Sequence, residues 1–582
     1  MSTRPFRKVL GEVRRSQVVT TYGVGAIVPV EEESFMIAGI DRWRSDFLED
    51  IHERRLEQQL GLSRLCLPPA GRDAGDIPVV RFPLWATCPT CRRLAVHEDF
   101  CGKYENKCNA DGAALVPSRF VAACANGHIQ DFPYFDWVHT RQAPPTGTRH
   151  SLSIETAGAS ASLRSIEIRC ACGLARSMEG AFSEWALREV VRCHGSRPWL
   201  LDFEGDCAES LRTLQRGASN VYFGIQRSAL SIPPWSEEVY KKLDSSWTSI
   251  KYIPKDALLG FFAGQLIGNW RGLSASADEL TRISLERLAH EESSTGVSAL
   301  TEEELRKEEY DALCRGKGEE KGSQEFVAVP AQMVGDFLST YVEQIMLVKR
   351  LREVRVLEGF TRLQPWGQGD PQQHVAPLFK VDPGWLPAIE VTGEGVFFKV
   401  SNDRLVEWEK RSGVEERAQK IEANALNGFS AARLASGGGV SARLIVLHSL
   451  AHALISQWSL ECGYPAASIR ERLYVSGSMA GILLYTATTD SAGSLGGIVA
   501  QADSDRLEPT FRGAIEASAW CSSDPLCIES LGSGVDSLNL AACHACLLLP
   551  EVSCELGNVF LDRALLVGTP DEPNIGLFSS PR

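Results

Sequence analysis

The sequence lacks long apolar runs. No stretch of about 18 apolar residues occurs, and a membrane-spanning helix needs a run of that length. The first residues, MSTRPFRKVLGEVRRSQ, are basic but are not followed by the apolar segment of a secretory signal. The sequence therefore predicts a protein without membrane segments that works in the cytoplasm.

A nucleotide-binding loop and a basic excess are also missing. The glycines of TYGVGAIV are not followed by the Gly-Lys-Ser/Thr of a Walker motif, so they fit a tight turn before a strand. The formal net charge is −14, whereas proteins that bind nucleic acid over much of their surface usually carry an excess of basic residues. We expect DNA contact mainly through a partner, although LVKRLREVRVLEGFTR is locally basic.

The composition is that of an ordinary folded protein, with 44% hydrophobic and 23% charged residues. No internal repeat of solenoid length is present. A chain of 582 residues is long enough for several domains. We predict an α+β, multidomain fold with three regions: a cysteine-rich, zinc-ribbon-like N-terminal region (1–240), a mainly helical middle region (241–430) and a mixed α/β C-terminal domain (431–582).

Local patterns add detail to the second and third regions. LTEEELRKEEYDAL predicts a charged helix with Thr301 and Glu304 as a capping box, inside a mobile, solvated excursion over 291–325. AQMVGDFLSTYVEQIMLVKRLREVRVLEGF has apolar residues at helical spacing and predicts one or two amphipathic helices. PAIEVTGEGVFFKV predicts two strands around a glycine turn. ARLIVLHSLAHALISQWSL predicts a buried helix, and RLYVSGSMAGILLYTA predicts two strands.

Cysteine is abundant, with 17 residues. Disulfides are rare in the cytoplasm, so metal binding is the expected use of these thiols. Four cysteine ligands around zinc form a closed, structural site. The first predicted set starts from the knuckle CPTC, with Cys88 and Cys91. Cys108 and Cys124 are the favoured partners of this knuckle, and Cys101 and His128 are the alternatives.

Two further sets raise the predicted number of structural Zn²⁺ sites to at most three. The second set consists of Cys170, Cys172, Cys193 and Cys207. The third consists of Cys527, Cys543, Cys546 and Cys554, with Cys521 as a spare thiol. A redox role for CHAC fits less well, because a thioredoxin-like pair has no other cysteines near it. Three thiols stand alone and are expected to be ordinary: Cys66, Cys314 and Cys462.

HSLAHALI contains the strongest candidates for chemistry outside the cysteine sets. His448 and His452 are four residues apart, so both lie on one face of a helix. A zinc protease would have glutamate after the first histidine, but Ser449 stands there. The apolar surroundings favour two hydrogen-bonded core histidines, and no spaced set of carboxylates indicates a nuclease metal site. We therefore predict no catalytic residue, with a nuclease or hydrolase that uses these histidines as the alternative.

Several segments resemble a known family. RRSQVVTTYGVGAIVPV, RFVAACANGHIQDFPYFDWVH and LREVRVLEGFTRL resemble the DrmB family of DISARM, a bacterial anti-phage defence system. HSLAHALI, GILLYTATTDSAGSLGGIV and AACHACLLLPEVSCE resemble the C-terminal domain that this family shares with MrfA-type repair helicases. These segments span nearly the whole chain except the 291–325 excursion.

The resemblance implies a role and a ligand set. It implies a non-motor, zinc-binding subunit that forms a heterodimer with a DrmA-like helicase subunit and recognises or processes foreign DNA. The chain has no DEAH-like box, so the partner must supply the motor. A four-cysteine zinc site carries over onto Cys527, Cys543, Cys546 and Cys554, with Cys521 competing for the first position. A nucleic-acid enzyme and a stand-alone DNA-binding zinc protein are the alternatives.

Overall fold

The structure is a computed structural model that contains both helices and sheets, as the predicted α+β, multidomain fold class requires. It describes residues 9–62, 64–70, 76–102, 105–140, 150–156, 162–205, 207–236, 238–273, 275–293, 300–319, 325–332, 335–366, 374–427, 439–488, 497–534 and 537–579. Two compact units alternate along the chain. The first comprises Met1–Ile51, Arg64–Arg227 and Val356–Ile389, and the second comprises His52–Ser63, Ser228–Arg355 and Glu390–Arg582. The three consecutive regions 1–240, 241–430 and 431–582 stay a prediction.

The first unit is built mainly from short antiparallel strands. One sheet has the order Ile27–Val30, Glu33–Ile37, Val79–Arg81, and another has the order Ile129–Asp131, Phe120–Ala123, Arg212–Gln215. A six-stranded sheet has the order Ala175–Ser177, Ile166–Cys170, Leu152–Thr156, Arg93–Val96, Trp85–Thr87, Val116–Pro117. Smaller elements are the strands Glu49–Ile51, Leu65–Leu67, Ser196–Arg197 and Asp202–Phe203 and the helices Arg15–Thr20 and Tyr134–His139. Cysteines fall at the ends of several of these strands, where hairpin turns follow.

The second unit is centred on a large sheet. Within it, Phe326–Pro330 pairs with Val342–Thr361, and the order continues through Leu386–Val400 and Gly481–Thr488 to Ile469–Tyr474. Phe223–Leu230 and the two long strands have residues in both units. The helices are Arg54–Leu60, Glu238–Ile250, Leu258–Ile267, Ala277–Ser293, Glu302–Arg315, Asp336–Tyr341, Asn402–Glu409, Ser412–Asn427, Ala442–Cys462, Gly497–Gln501, Ser504–Ser518 and Ala564–Val567. Among the described residues, no helix is both long and apolar enough to cross a membrane.

The predicted amphipathic helices around residue 350 are wrong. Apart from the short helix Asp336–Tyr341, the segment forms the 20-residue strand Val342–Thr361. Its leucines, arginines and glutamates favour a helix by propensity, but pairing with neighbouring strands overrides that preference. Arg352, Glu353 and Arg355 are buried in the strand, where each has a partner of opposite charge.

The predicted glycine turn in PAIEVTGEGVFFKV is also wrong, because Leu386–Val400 is one continuous strand. Gly395 lies opposite Tyr485 in the neighbouring strand. A Cβ atom at Gly395 would lie 2.5 Å from the backbone oxygen of Leu484. The glycine therefore permits close approach of two strands and does not form a turn.

The predicted solvated excursion over 291–325 contains a packed helix, Glu302–Arg315. The capping box of Thr301 and Glu304 is confirmed at its start. One face of the helix is nevertheless buried, and Glu309 on that face pairs with Arg472. The prediction of a mobile, solvated segment is therefore wrong for this helix. Residues 294–299 and 320–324 of the predicted segment lie outside the described residues.

The predicted buried helix and the two strands after it are confirmed. The helix Ala442–Cys462 begins at Ser441, whose hydroxyl accepts a hydrogen bond from the Leu444 N–H, and ends at Gly463 in the left-handed conformation. Its first three turns are almost completely buried in the core of the second unit. Ile469–Tyr474 and Gly481–Thr488 follow as an antiparallel pair.

Candidate metal centres

Side chains with metal-ligand chemistry form five clusters among the described residues. In each cluster the four ligand atoms lie within 4.8 Å of one another. Three clusters belong to the first unit and two to the second. We name each by its first residue: Cys88 cluster (Cys88, Cys91, Cys108, Asp111), Cys124 cluster (Cys124, His128, Cys193, Cys207), His139 cluster (His139, His150, Cys170, Cys172), His448 cluster (His448, His452, Glu471, Cys554) and Cys521 cluster (Cys521, Cys527, Cys543, Cys546).

The Cys88 cluster is made of two turns of the same geometry. In the first turn, the N–H of Cys88 bonds to the oxygen of Arg93 and the N–H of Arg92 bonds to the oxygen of Cys88. The same two bonds recur twenty residues later, from Cys108 to Ala113 and from Gly112 to Cys108. Each turn places two ligands three positions apart, so C-x-x-C is matched by C-x-x-D. Asp111 was not predicted from the sequence, because C-N-A-D carries only one thiol.

The distances in the Cys88 cluster suit zinc. The sulfurs of Cys91 and Cys108 are 3.8 Å apart, and the Cys88 sulfur lies 3.2 Å from the Asp111 carboxylate. A tetrahedral Zn²⁺ with bonds of about 2.3 Å separates two sulfurs by about 3.8 Å. Cys101 lies apart from this set, with its sulfur 3.6 Å from His97 Nε2 and 3.3 Å from the oxygen of Glu105. Cys124, a favoured fourth ligand of this site, belongs to a different cluster.

The Cys124 cluster is arranged around His128. Its Nδ1 lies 3.4 Å from the sulfur of Cys124 and 3.6 Å from that of Cys193, and these sulfurs are 3.7 Å apart. On the opposite side of the ring, Nε2 is 2.5 Å from the Glu204 carboxylate. A carboxylate that holds the outer nitrogen of a histidine is a common feature of zinc sites, because it fixes the tautomer and the ring orientation.

The same cluster contains a thiol that ionises readily. Its contacts with Cys124 and His128 lower the pKa of Cys193 to about 4, although burial acts in the opposite direction. A thiolate is the form that binds zinc. The sequence offered His128 as an alternative ligand for the CPTC knuckle. In the structure His128 lies with Cys124, Cys193 and Cys207 and not with that knuckle.

The His139 cluster combines two imidazoles with the CAC motif. His139 is the last residue of the helix Tyr134–His139, and its Nδ1 donates to the oxygen of Phe135 at 2.6 Å. Its Nε2 then faces the Cys172 sulfur at 3.4 Å, and His150 Nδ1 lies 3.3 Å from the Cys170 sulfur. The predicted second set is thus divided between two clusters.

The electrostatics of Cys172 favour its thiolate form. Burial raises the pKa of Cys172, but the backbone N–H of Leu174 and the rings of His139 and His150 lower it to about 6. Neither histidine of this cluster was predicted from the sequence. The only sequence signal for them was their position between cysteine groups, in DWVH and RH.

The Cys521 cluster has four thiols. The Cys543 sulfur lies 3.5 Å from that of Cys521 and 3.8 Å from that of Cys546, and Cys527 and Cys546 are 3.8 Å apart. Backbone N–H groups donate to two of these sulfurs, from Cys543 to Cys546 and from Ser523 to Cys521. Burial raises the pKa of Cys543, but the Ala545 N–H and the neighbouring thiols lower it to about 7.

The predicted third set differs from this cluster at one position. Cys521 and Cys527 both join Cys543 and Cys546, whereas Cys554 lies with His448, His452 and Glu471. The two histidines are fully buried, as expected of core residues. The expected lone thiols Cys66, Cys314 and Cys462 are in none of the five clusters.

Comparison with known proteins assigns part of this arrangement to a described domain. Residues 450–547 match the family described as the MrfA Zn-binding domain, and this span includes all four residues of the Cys521 cluster. Residues 14–223 match a family described as a domain of unknown function, DUF8724. The chain is a zinc-binding protein by the first of these matches and by the chemistry of its Cys/His clusters.

A curated relative covers almost the entire chain. The DISARM protein DrmB of Bacillus paralicheniformis is 32% identical to it over 564 residues, which is 93% of this chain and 97% of the relative. An identity of that level over nearly the full length of both proteins shows common descent. The chain belongs to the DrmB family of the DISARM defence system.

Proposed function

We propose that this chain is a zinc-stabilised, non-motor subunit that works with a helicase-like ATPase of the DrmA type on foreign DNA. The observation that carries the proposal is the similarity to DrmB over 93% of the chain. The closed clusters are consistent with it, since four protein ligands leave no open position for a substrate on the metal. The clusters therefore support a scaffold more than a catalytic centre.

We assign structural Zn²⁺ ions to four clusters, named for Cys88, Cys124, His139 and Cys521. Their donors are cysteine thiols and histidines, with one carboxylate, and these are typical zinc ligands. Structural zinc contributes folding free energy, because the unfolded chain has no preformed site. The ions would hold together short strands and loops that have little other regular structure.

The charge of the chain favours a shared DNA site. At −14, its net charge repels a polyanion at long range. A partner with a basic channel would supply the attraction that this chain lacks. We therefore propose that DNA is bound mainly by the complex, in the cytoplasm.

Buried histidines argue against the enzyme alternative. His448 and His452 have no exposed surface, so a substrate cannot reach them without local opening of the core. A nuclease would instead place its metal ligands along an accessible cleft. The purified chain should hydrolyse neither ATP nor DNA, and metal-dependent cleavage that one substitution abolishes would contradict the proposal.

Co-purification tests the partnership directly. The chain is expressed together with a DrmA-like helicase subunit, and each is also expressed alone as a control. We expect a joint size-exclusion peak that persists at about 0.5 M salt, where charge interactions between exposed groups are screened. Two separate peaks from a folded, zinc-loaded chain would contradict the proposal. Salt-sensitive DNA binding by the chain alone would favour a stand-alone binder.

A further inference from the structure

The His448 cluster joins three separate segments of the second unit. His448 and His452 lie on the helix Ala442–Cys462, Glu471 lies on the strand Ile469–Tyr474, and Cys554 lies in the loop near the C-terminus. All four residues are buried. The family match at 450–547 includes His452 and Glu471 but neither His448 nor Cys554, and the His448 cluster shares no residue with the Cys521 cluster.

The tautomer of His452 leaves a lone pair directed at a carboxylate. Its Nδ1 lies 2.7 Å from the backbone oxygen of Leu547. A carbonyl oxygen only accepts, so Nδ1 carries a proton and donates it. In the neutral ring Nε2 is then an acceptor, and it lies 3.5 Å from Glu471 Oε1. Within the described part of the chain, this buried Nε2 has no hydrogen-bond partner. Two facing acceptors need a proton or a metal cation between them.

Glu471 lacks the usual compensation for a buried acid. Among the described residues, no lysine or arginine forms an ion pair with Glu471. Its ion-pair partners there are His448 and His452. Its Oε1 accepts a backbone hydrogen bond from Glu555 at 3.3 Å, and its Oε2 is buried without a partner in the described ranges. Neutral imidazoles do not balance the charge of a carboxylate, and burial of an unbalanced charge is unfavourable.

The surroundings of Cys554 resemble those of the zinc-ligand thiols. The N–H of Asn558 donates to its sulfur at 3.2 Å, as the N–H of Cys543 donates to Cys546 in the Cys521 cluster. His448 Nε2 lies 3.2 Å from this sulfur and 3.0 Å from Glu471 Oε1. Tetrahedral zinc with bonds of about 2.0 Å to nitrogen and oxygen and about 2.3 Å to sulfur separates such ligands by about 3.3 to 3.6 Å.

We propose that His448, His452, Glu471 and Cys554 together bind one further Zn²⁺ ion. The ion satisfies the Nε2 lone pair, balances the carboxylate and takes a thiolate as its fourth ligand. Binding displaces the thiol proton of Cys554 to solvent. Because the site is closed and buried, its role is to fasten the helix and the loop to the edge of the large sheet.

Metal counting in two variants and one control tests this site. His452→Asn removes Nε2 but retains an amide that can donate to Leu547, and Cys554→Ser retains an acceptor for Asn558. Cys462→Ser is the control, because Cys462 is a thiol on the same helix outside every cluster. Full-length proteins are saturated with Zn²⁺, desalted and analysed by inductively coupled plasma mass spectrometry, with circular dichroism as the folding check. We expect each test variant to lose one ion per chain, and the control to lose none.

Retention of the wild-type zinc count by both folded test variants would overturn the proposal. If these variants fail to fold, crystals of the wild-type protein decide the question. An anomalous-difference peak at the zinc edge between the four ligand atoms supports the site, whereas its absence shows a proton-sharing cluster and overturns it. Neither readout depends on the helicase partner, so failure here is distinguishable from failure of the proposed function.

Discussion

His128 illustrates how a single residue links a metal centre to its surroundings. Nδ1 faces the cysteine sulfurs and Nε2 faces Glu204, so the carboxylate determines which nitrogen is free to bind metal. Glu204 is also within 3.6 Å of Arg197. The tautomer of His128 therefore depends on a residue that is not itself a ligand.

Glu204→Gln should weaken zinc binding at the Cys124 cluster by about 10- to 100-fold without unfolding the chain. The neutral amide orients His128 less strongly and leaves it a poorer ligand. Competition with a chromogenic chelator measures the loss as faster release of one ion per chain. Glu189→Gln, at an exposed position in the same unit, is the matched control. Equal release rates in both variants would show that Glu204 does not support a ligand.

Glu353 provides a pH prediction away from the metal centres. Burial raises its pKa, but the charges of Arg355 and Arg470 outweigh this effect and hold the pKa at about 2, below the ordinary 4.5. A carboxyl with a depressed pKa stabilises the fold above pH 4.5, and this contribution is lost as the pH falls from 4.5 towards 2. Glutamine in place of Glu353 does not ionise, so it cannot supply this stabilisation at any pH.

Glu353→Gln should therefore lower the melting temperature most at neutral pH, because Arg355 is left buried without its charge partner. The expected loss is about 3 kcal/mol at pH 7, and it should shrink as the pH is lowered below 4.5. Differential scanning fluorimetry at a series of pH values follows the difference. Glu407→Gln, on an exposed part of the helix Asn402–Glu409, should change little. A pH-independent difference would contradict the assigned ion pair.

The sequence predicted cysteines as candidate ligands, but not most of the groups in which they lie and not Asp111, His139 or His150. The C-x-x-C spacing of Cys88 with Cys91 and of Cys543 with Cys546 predicted two pairs that the structure does bring together. Cys554 could not be assigned from spacing, because its neighbours come from a helix about one hundred residues earlier. Short-range turns are encoded locally, whereas convergence of distant segments depends on the tertiary fold.

At the scale of elements, the strand Val342–Thr361 shows why periodicity alone was insufficient. Its apolar residues satisfy a helical pattern, yet the strand is buried on both faces and contains charged residues that are paired internally. Buried strands have no strict alternation of polar and apolar residues, so their pattern overlaps with that of a helix. The helix Ala442–Cys462 was predicted from its largely apolar sequence, and it begins after Ser441 and ends before Gly463, which are typical residues at helix boundaries.

Gly395→Ala should disrupt the central strand Leu386–Val400. The new methyl group would overlap the backbone of Leu484, and backbone atoms of a paired strand cannot move aside without loss of register. We expect a loss of roughly 1 to 3 kcal/mol, measured as a lower urea midpoint and a lower soluble yield. Gly260→Ala is the control, because a Cβ there meets no atom within 4 Å and alanine favours the helix Leu258–Ile267. Similar destabilisation of both variants would contradict the steric explanation.

At the scale of the whole molecule, zinc and apolar burial contribute differently to the two units. In the first unit, the thiols of Cys124, Cys170 and Cys193 lie in the hydrophobic core itself, beside Phe120 and Trp137. The second unit has a much larger apolar core around the helix Ala442–Cys462, and its four-cysteine cluster lies in a loop region after the helix Ser504–Ser518. Loss of metal therefore leaves unbound thiols inside the hydrophobic core of the first unit.

Chelation should consequently unfold the first unit before the second. With a strong zinc chelator, hydrogen exchange is expected to rise first in Arg93–Val96, Phe120–Ala123 and Ile166–Cys170, while the strand Gly481–Thr488 of the second unit, which is paired on both sides, stays protected. Hydrogen–deuterium exchange mass spectrometry resolves these segments in one experiment, and zinc-saturated chelator is the control. Simultaneous loss of protection in both units would contradict this order and would show that the large sheet of the second unit depends on metal as strongly as the first unit does. An unchanged exchange pattern after complete zinc removal would contradict a structural role for every cluster.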